Sequence, residues 1–533
     1  MRDRLADWTY RVVERLRTIH PAAWLTFLAA VLFATLFGGL GVVNHRNYGT
    51  WSYDMGIYDQ GFWLVSRGHQ FMTVRGMNFW GHHFNLIAFA FAPFYWLGAG
   101  PGFLYVVQAV FLAWAAFPIY LIARDKFNKP WMGLLFAVVY LMYAPVQWIS
   151  WSMFHPEALV ITPFLYAWWF ATKERWGWYF AMVLLALSMR EDVAMAVVMM
   201  GITLAIYMRH APDRRRVWWR CAWTVVLGGV WYVVATRLMV FFNDGKEPFY
   251  VTYFYGNYGE SGPDIVRTML QHPNRVVSDA VQHDRIKFYK QLGWPLAWLP
   301  LFNPLALLMA LPQMLASIIG LSPYARTINY QYTSVMIAPL MISTIHGGHT
   351  LYRFRPARWA MPIAMLLCAW VSNVAWAPSP VGEKGNYIAW SRDNPRTALL
   401  DQAIVHVPDG ASVSASYQFG PHLSHRYEVY DWPNPFWASV WGNDDCDHLP
   451  NPVTVDYVIL DLTQIGVNNL ELYDAMRAPG GPFEVVFENQ AAVVLHRVDT
   501  SGWKRWNWRE VDADPQKESC RILDLRHGGD GTG

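Results

Sequence analysis

Ala22 to Val43 carries no charge over 22 consecutive positions and follows Arg2, Arg4, Arg11, Arg15 and Arg17. As a helix rising about 1.5 Å per residue, such a run crosses a hydrocarbon core about 30 Å thick. Lipid admits few other shapes, because a spanning segment must satisfy its backbone hydrogen bonds internally. No small-residue cleavage site follows, so the run reads as a retained signal anchor with residues 1–21 in the cytoplasm. Composition agrees: of 533 residues 54% are hydrophobic and only 15% charged, against about 25% charged in soluble domains. An ordinary cytosolic enzyme is thereby excluded. A net charge of +3, dispersed along the chain, also excludes a nucleic-acid binder.

Further apolar stretches lie at about 85–98, 102–123, 131–149, 157–172, 177–189, 193–208, 221–242, 293–301, 303–320, 332–350 and 359–376. Basic residues set their parity. The linkers with Arg124, Lys126 and Lys129, with Lys173 and Arg175, with Arg209, Arg214, Arg215, Arg216 and Arg220, and with Arg353, Arg355 and Arg358 all belong in the cytoplasm. They share one side only if 85–98, short and broken by Pro93, is a half-span and 293–320 makes two passes. The expectation is a mainly α polytopic protein of about eleven crossings over 22–376, N-terminus inside and C-terminus outside.

This topology puts the chemically expressive residues outside. The first external loop (44–84) contains Tyr53-Asp54-Met55-Gly56-Ile57-Tyr58-Asp59-Gln60, where Ile57, Gly61 and Leu64 recur at helical spacing and suggest an interfacial helix. Asp54 near its start is either an N-cap or a catalytic or metal-binding group; Asp59 is a partner or structural group. Gly81-His82-His83-Phe84 follows, and its adjacent histidines point about 100° apart on a helix. His155-Pro156-Glu157 opens a span, with Glu157 suited to a helix N-terminus. Arg190-Glu191-Asp192 sits between two short apolar stretches. Each charge would cost about 2.5–3.5 kcal/mol at the bilayer centre, so the three must reach an interface or a polar cavity. A second external loop covers 243–292, and Tyr324, Arg326, Tyr330, Gln331 and Tyr332 form a polar aromatic turn that an aromatic belt also explains. No Walker, HExxH or GxSxG motif is present.

From 377 the periodicity changes. Strands are expected at Ala411–Ser416, Tyr427–Tyr430, Tyr457–Leu462, Glu484–Glu488 and Ala492–Arg497, with helices near Pro395–Val407 and Gly466–Ala478. The result is a small extracytoplasmic α/β domain over 377–500, with a disordered tail at 501–533. Pro421-His422-Leu423-Ser424-His425 is its most distinctive stretch, an acceptor-side contact at most. The four cysteines form no CxxC pair, and whether Cys446 and Cys520 join outside stays open.

Taken in order, the Tyr53–Gln60, Gly81–Phe84, Phe154–Ala158, Arg190–Val193 and Pro421–His425 segments resemble an uncharacterised family of prokaryotic polytopic membrane proteins, domain of unknown function 2079. The resemblance covers most of residues 22–500, with Met55 where Leu is usual and Arg190 where Lys is usual. That family is similar in plan to the GT-C glycosyltransferases, which carry a signal anchor, a long first external loop with an acidic residue, many spans and often an external C-terminal domain. The resemblance implies a plasma-membrane glycosyltransferase, moving a hexose or pentose from a polyprenyl-phosphate carrier to a glycan, lipid or protein acceptor, with inversion. Asp54 would be the base and Glu191 and Asp192 catalytic partners. Asp59, His82, His83, His155, Glu157, Arg190, Tyr330 and Gln331 would contact substrate. A divalent cation such as Mg²⁺ or Mn²⁺ could sit on Glu157, Glu191 and Asp192. A secondary transporter or lipid flippase, and a non-catalytic membrane scaffold, are the competing classes.

Overall fold

The computed structural model describes residues 18–385, 387–390, 394–442, 449–450 and 452–498. The arginines before the signal anchor, Cys446, Cys520 and the 501–533 tail lie outside the described residues. The described chain is mostly helical, with a small sheet at its C-terminal end.

Four helices are long and apolar enough to cross a membrane by length and composition: Pro21–Arg46, Pro101–Phe127, Arg214–Phe242 and Ala357–Trp376. A fifth span is obtained if Pro130–Leu141 and Ala144–Trp151, bent by 52°, act together. The bend falls where Pro145 enters the first turn of the second helix, a position that tolerates its missing N–H. The other apolar stretches form shorter helices, among them Ile161–Thr172, Trp176–Leu187 and Val193–Tyr207. Ser334–Leu351 runs through the centre, buried without interruption from Ser334 to Gly348.

The basic linkers do share one end. Lys173 Nζ lies 2.9 Å from Asp125 Oδ2, Lys126 Nζ sits 5.7 Å over the Tyr207 ring, and Lys129 Nζ is 3.0 Å from Tyr352 Oη. Segment 85–98 holds only the nine-residue helix Ala88–Trp96. At about 14 Å it is too short to cross, and both its ends meet the opposite, polar end: Ile87 N donates to Ser188 O at 2.9 Å, and Tyr95 Oη to Asp59 at 2.8 Å. The proline-rich 293–320 stretch breaks into 3₁₀ turns before the helix Leu311–Ile319. Leu299 packs against Gly347 near the basic end, so closely that a Cβ on Gly347 would stand 1.9 Å from the Leu299 carbonyl oxygen. The chain then returns, and Arg285 Nη2 meets Ile318 O at 3.1 Å.

All five expected C-terminal strands are present: β3 (Val413–Ala415), β4 (Val429–Asp431), β5 (Tyr457–Asp461), β6 (Phe483–Glu488) and β7 (Ala492–Arg497). They follow a two-stranded hairpin in the first loop, β1 (Phe71–Met72) and β2 (Met77–Asn78). The sheet order is β4-β3-β5-β7-β6, with β3 parallel to both neighbours and β7 antiparallel to both of its own. Successive side chains on a strand face opposite ways, which gives the sheet two cores. Val458, Leu460, Val493 and Leu495 face Trp432 and Phe436. Val413, Ala415, Ile459 and Val494 join Met55, Phe62, Phe79 and Phe91 of the first loop and the short helix beyond it. The sheet is therefore a wall of the first loop.

That packing corrects the expected interfacial helix. Ile57–Val65 is helical, but every residue from Ile57 to Leu64 is buried in protein. Ile57, Tyr58, Phe62, Trp63 and Leu64 make it apolar on more than one side, and such a helix belongs inside.

Candidate active site

Asp54 precedes this helix with φ 69° and ψ −90°, near the γ-turn region that costs an L-residue of order 1–3 kcal/mol. The helix takes Gly56 as its N-cap with no side-chain cap hydrogen bond, so Asp54 is not the cap. Its Oδ1 lies 3.3 Å from His155 Nε2 instead, with 39% of its side chain exposed. His155 Nδ1 is 3.0 Å from the Met153 carbonyl, an acceptor only. That nitrogen must therefore carry a proton, and Nε2 carries one only in the imidazolium form. Burial alone lowers the His155 pKa, but Asp54 and Glu157 outweigh it and the net shift is upward.

Arg190, Glu191 and Asp192 occupy the turn between the short helices Trp176–Leu187 and Val193–Tyr207. Arg190 pairs with Glu157, and its Nε donates to Asp192 Oδ1 at 2.8 Å. Glu191 turns the other way and accepts from Phe84 N at 3.1 Å and Tyr250 Oη at 3.2 Å, with His83 Nδ1 at 2.9 Å. Burial works to raise the Glu191 pKa, but His83 and then Arg190 overcome it and hold the carboxyl at about 2. His82 is half-buried alongside; desolvation, then His83 and Arg75, push its pKa well down.

Asp54, His82, His83, His155, Arg190, Glu191 and Asp192 line one cavity of about 1090 Å³, together with Gln331. Glu157 lies beneath, fully buried against Arg190. Tyr330 is not among the lining side chains; its ring packs edge-on against Tyr324 at 5.3 Å. Asp59 is elsewhere: fully buried, it accepts from Tyr95 Oη at 2.8 Å and Ser424 Oγ at 2.5 Å and lies 3.0 Å from His425 Nε2. The Pro421–His425 stretch thus clasps the first loop, with His422 stacked on His45 at 4.1 Å.

Arg190 also bears on the cation expectation. Glu157 and Asp192 are both turned onto its guanidinium, and among the described residues no three His, Cys, Asp or Glu side chains gather as metal ligands. The proposed Glu157, Glu191 and Asp192 set does not fit a cation cage.

Three lining residues escaped the sequence reading, with a fourth just behind them. Arg75 sits in the β1–β2 turn, 4.5 Å over the Phe249 ring. Gly76 after it has φ +68°, and a Cβ there would fall 2.3 Å from Trp441. Arg237 is on the span Arg214–Phe242, with no partner among the described residues. A charge inside the apolar run 221–242 was the available signal. Tyr250 belongs to a short helix, Phe249–Tyr255, with no sequence mark of its own. Asp431 ends β4 behind Ser52 and Tyr53, and burial raises its pKa to about 7.

Away from the charges the cavity is walled by apolar side chains: Val233 and Val240, Val251 and Phe254, Ile265, Val266 and Met269, and Leu315 and Ile319. The site therefore joins a charged head to a long apolar body. No curated protein matches the chain. Residues 45–477 match the family described as predicted membrane protein (DUF2079), and the chain belongs to that family of membrane proteins.

Proposed function

We propose that this protein is an integral membrane glycosyltransferase that takes a sugar from a polyprenyl-phosphate donor and passes it, with inversion, to an acceptor outside the plasma membrane. The GT-C plan that the sequence resembles, about eleven crossings with the N-terminus inside and the C-terminal sheet outside, belongs to the same reading. The observation that carries it is the joined cavity: a carboxylate and cations at one end, apolar walls at the other. A lipid phosphate has the same two-part chemistry.

In this reading the acceptor hydroxyl attacks the anomeric carbon and gives its proton to Asp54. The bond from that carbon to the phosphate oxygen breaks, and the electron pair leaves with polyprenyl phosphate. Asp54 acts as general base, while Arg237, Arg75 and His83 are disposed to meet the phosphate charge. Arg190, its donors already engaged by Glu157 and Asp192, positions the turn and lends only its charge.

The test is turnover in nanodiscs: release of polyprenyl phosphate from a radiolabelled polyprenyl-phosphate hexose or pentose, with a cell-envelope extract as acceptor. Wild-type protein should transfer label and Asp54→Asn should not, with insertion unchanged. Tight binding of the lipid by wild type with no transfer would favour the lipid flippase, which shares the cavity but needs no base.

A further inference from the structure

We propose that the helices Gly262–Gln271 and Pro273–Ala280 lie in the bilayer interface, with their outer face in lipid, and that a slot beside the first of them is where a lipid tail enters the cavity from the membrane. This rests on the lipid-linked substrate proposed above only for the tail's identity. Both helices are amphipathic, and each has two apolar faces to account for. The inner one is covered: Ile265 packs with Tyr258, Ile318 and Ile319, and Met269, Val276 and Ala280 sit against that cluster. The outer one is bare, with Val266 56%, Leu270 77%, Val277 62% and Val281 64% exposed. Four exposed aliphatic side chains on two successive helices and the residue that caps the second are too many to leave in water. Arg267 and Arg275 flank them, as basic residues do on interfacial helices.

Continuity with the membrane-facing surface selects lipid as the occupant. The span Arg214–Phe242 exposes Val226, Val230, Val233 and Val234, and Tyr232 on that span abuts Gly262, whose Cβ would stand 3.6 Å from the tyrosine oxygen. A groove runs between them, lined by Met195 and Tyr232 on one side and Val266 and Leu270 on the other. Met195, Tyr232, Gly262, Pro263 and Val266 line the main cavity as well. The bare face, the lipid-facing span and the cavity are thus one connected apolar surface.

The experiment uses full-length protein with its cysteines replaced by serine, reconstituted in phosphatidylcholine nanodiscs. A bimane label is placed by V266C, L270C or V277C, and by V467C on the C-terminal part, where Val467 is 84% exposed. Brominated phosphatidylcholine should quench the first three labels and leave Val467→Cys bright, while aqueous iodide should do the reverse. Iodide quenching of Leu270→Cys and Val277→Cys as strong as that of Val467→Cys would overturn the proposal. For the slot, polyprenyl phosphate with a photoreactive tail should crosslink at V266C before it reaches the charged end. Crosslinking confined to Asp54 and its neighbours would remove that route. Neither readout needs turnover, so a protein that is quenched by lipid yet transfers no sugar would defeat the enzymatic reading alone.

Discussion

His155 Nε2 lies 3.3 Å from Asp54 Oδ1, and the contact joins the strained start of the first-loop helix to the residue just before the 3₁₀ turn Pro156–Val160. The Met153 carbonyl holds the other ring nitrogen, so the contact is a charged pair whenever Nε2 is protonated. Asp54 is thereby held at the cavity wall by one oxygen, and in the proposed reaction the other takes the acceptor's proton. Asp54→Asn should lower transfer by about 10²- to 10⁴-fold, the span of a lost general base, with no change in the amount of inserted protein. Turnover of the lipid-linked sugar in nanodiscs measures this; unaltered turnover removes Asp54 from the mechanism.

Glu157 and Asp192 converge on Arg190, and 1% of the Glu157 side chain and 9% of that of Arg190 are exposed. Removing the cation strands buried carboxylate, a change that costs about 3–5 kcal/mol in buried pairs. Arg190→Ala should lower the melting temperature sharply, and Arg190→Lys should recover part of the loss, since the charge stays but the planar fork does not. Equal melting of Arg190→Ala and wild type would contradict the buried pairing.

Linkage gives each shifted group's contribution a definite sign. Asp431 and His155 both have raised folded values, about 7 against an ordinary 3.8 for Asp431. A raised pKa means stability present at low pH and lost as pH rises through the folded value. The Asp431 contribution should therefore shrink from pH 6 to pH 8, so that the melting temperature of Asp431→Asn gains on that of wild type over this range. Glu191 acts the other way: held at about 2 against 4.5, it supports the fold above pH 4.5 and its contribution is lost as pH drops toward 2. A difference in melting temperature between Asp431→Asn and wild type that does not grow from pH 6 to pH 8 would refute the assignment.

Asp59 accepts from Tyr95 and Ser424 and faces His425, tying the first loop, the Ala88–Trp96 helix and the C-terminal sheet together. Hydrogen bonds to a charged group contribute about 1.5–3 kcal/mol each. Asp59→Ala should expose the 421–426 stretch to thermolysin in folded protein, while Asp59→Asn, which can still accept from one donor, should be cut more slowly. Identical cleavage of both variants and wild type would show that the sheet is held by its apolar face alone.

Much of the fold was legible in local patterns. The charge-free run from Ala22, the five C-terminal strands and the common end of the basic linkers follow from periodicity and from the cost of charge in lipid, both of which act over a few neighbouring residues. The shortness of the helix within 85–98 was legible too, from the length of the segment and from Pro93. The Ile57–Val65 helix was found but set in the wrong surroundings, because nothing local says that a sheet formed more than three hundred residues later will cover it.

The site divides in the same way. Sequence alone fixed a membrane protein with Asp54, His82, His83, His155, Glu157, Arg190, Glu191 and Asp192 as its expressive polar groups, because charged and imidazole side chains are costly near lipid and need a reason to be there. Which of them pair was decided by the tertiary structure: Arg190 with Glu157 and Asp192, Glu191 with His83, and Asp59 out of the cavity with His425. Those partners come from separate helices and loops, and burial commits each charge to one neighbour only after the segments have packed.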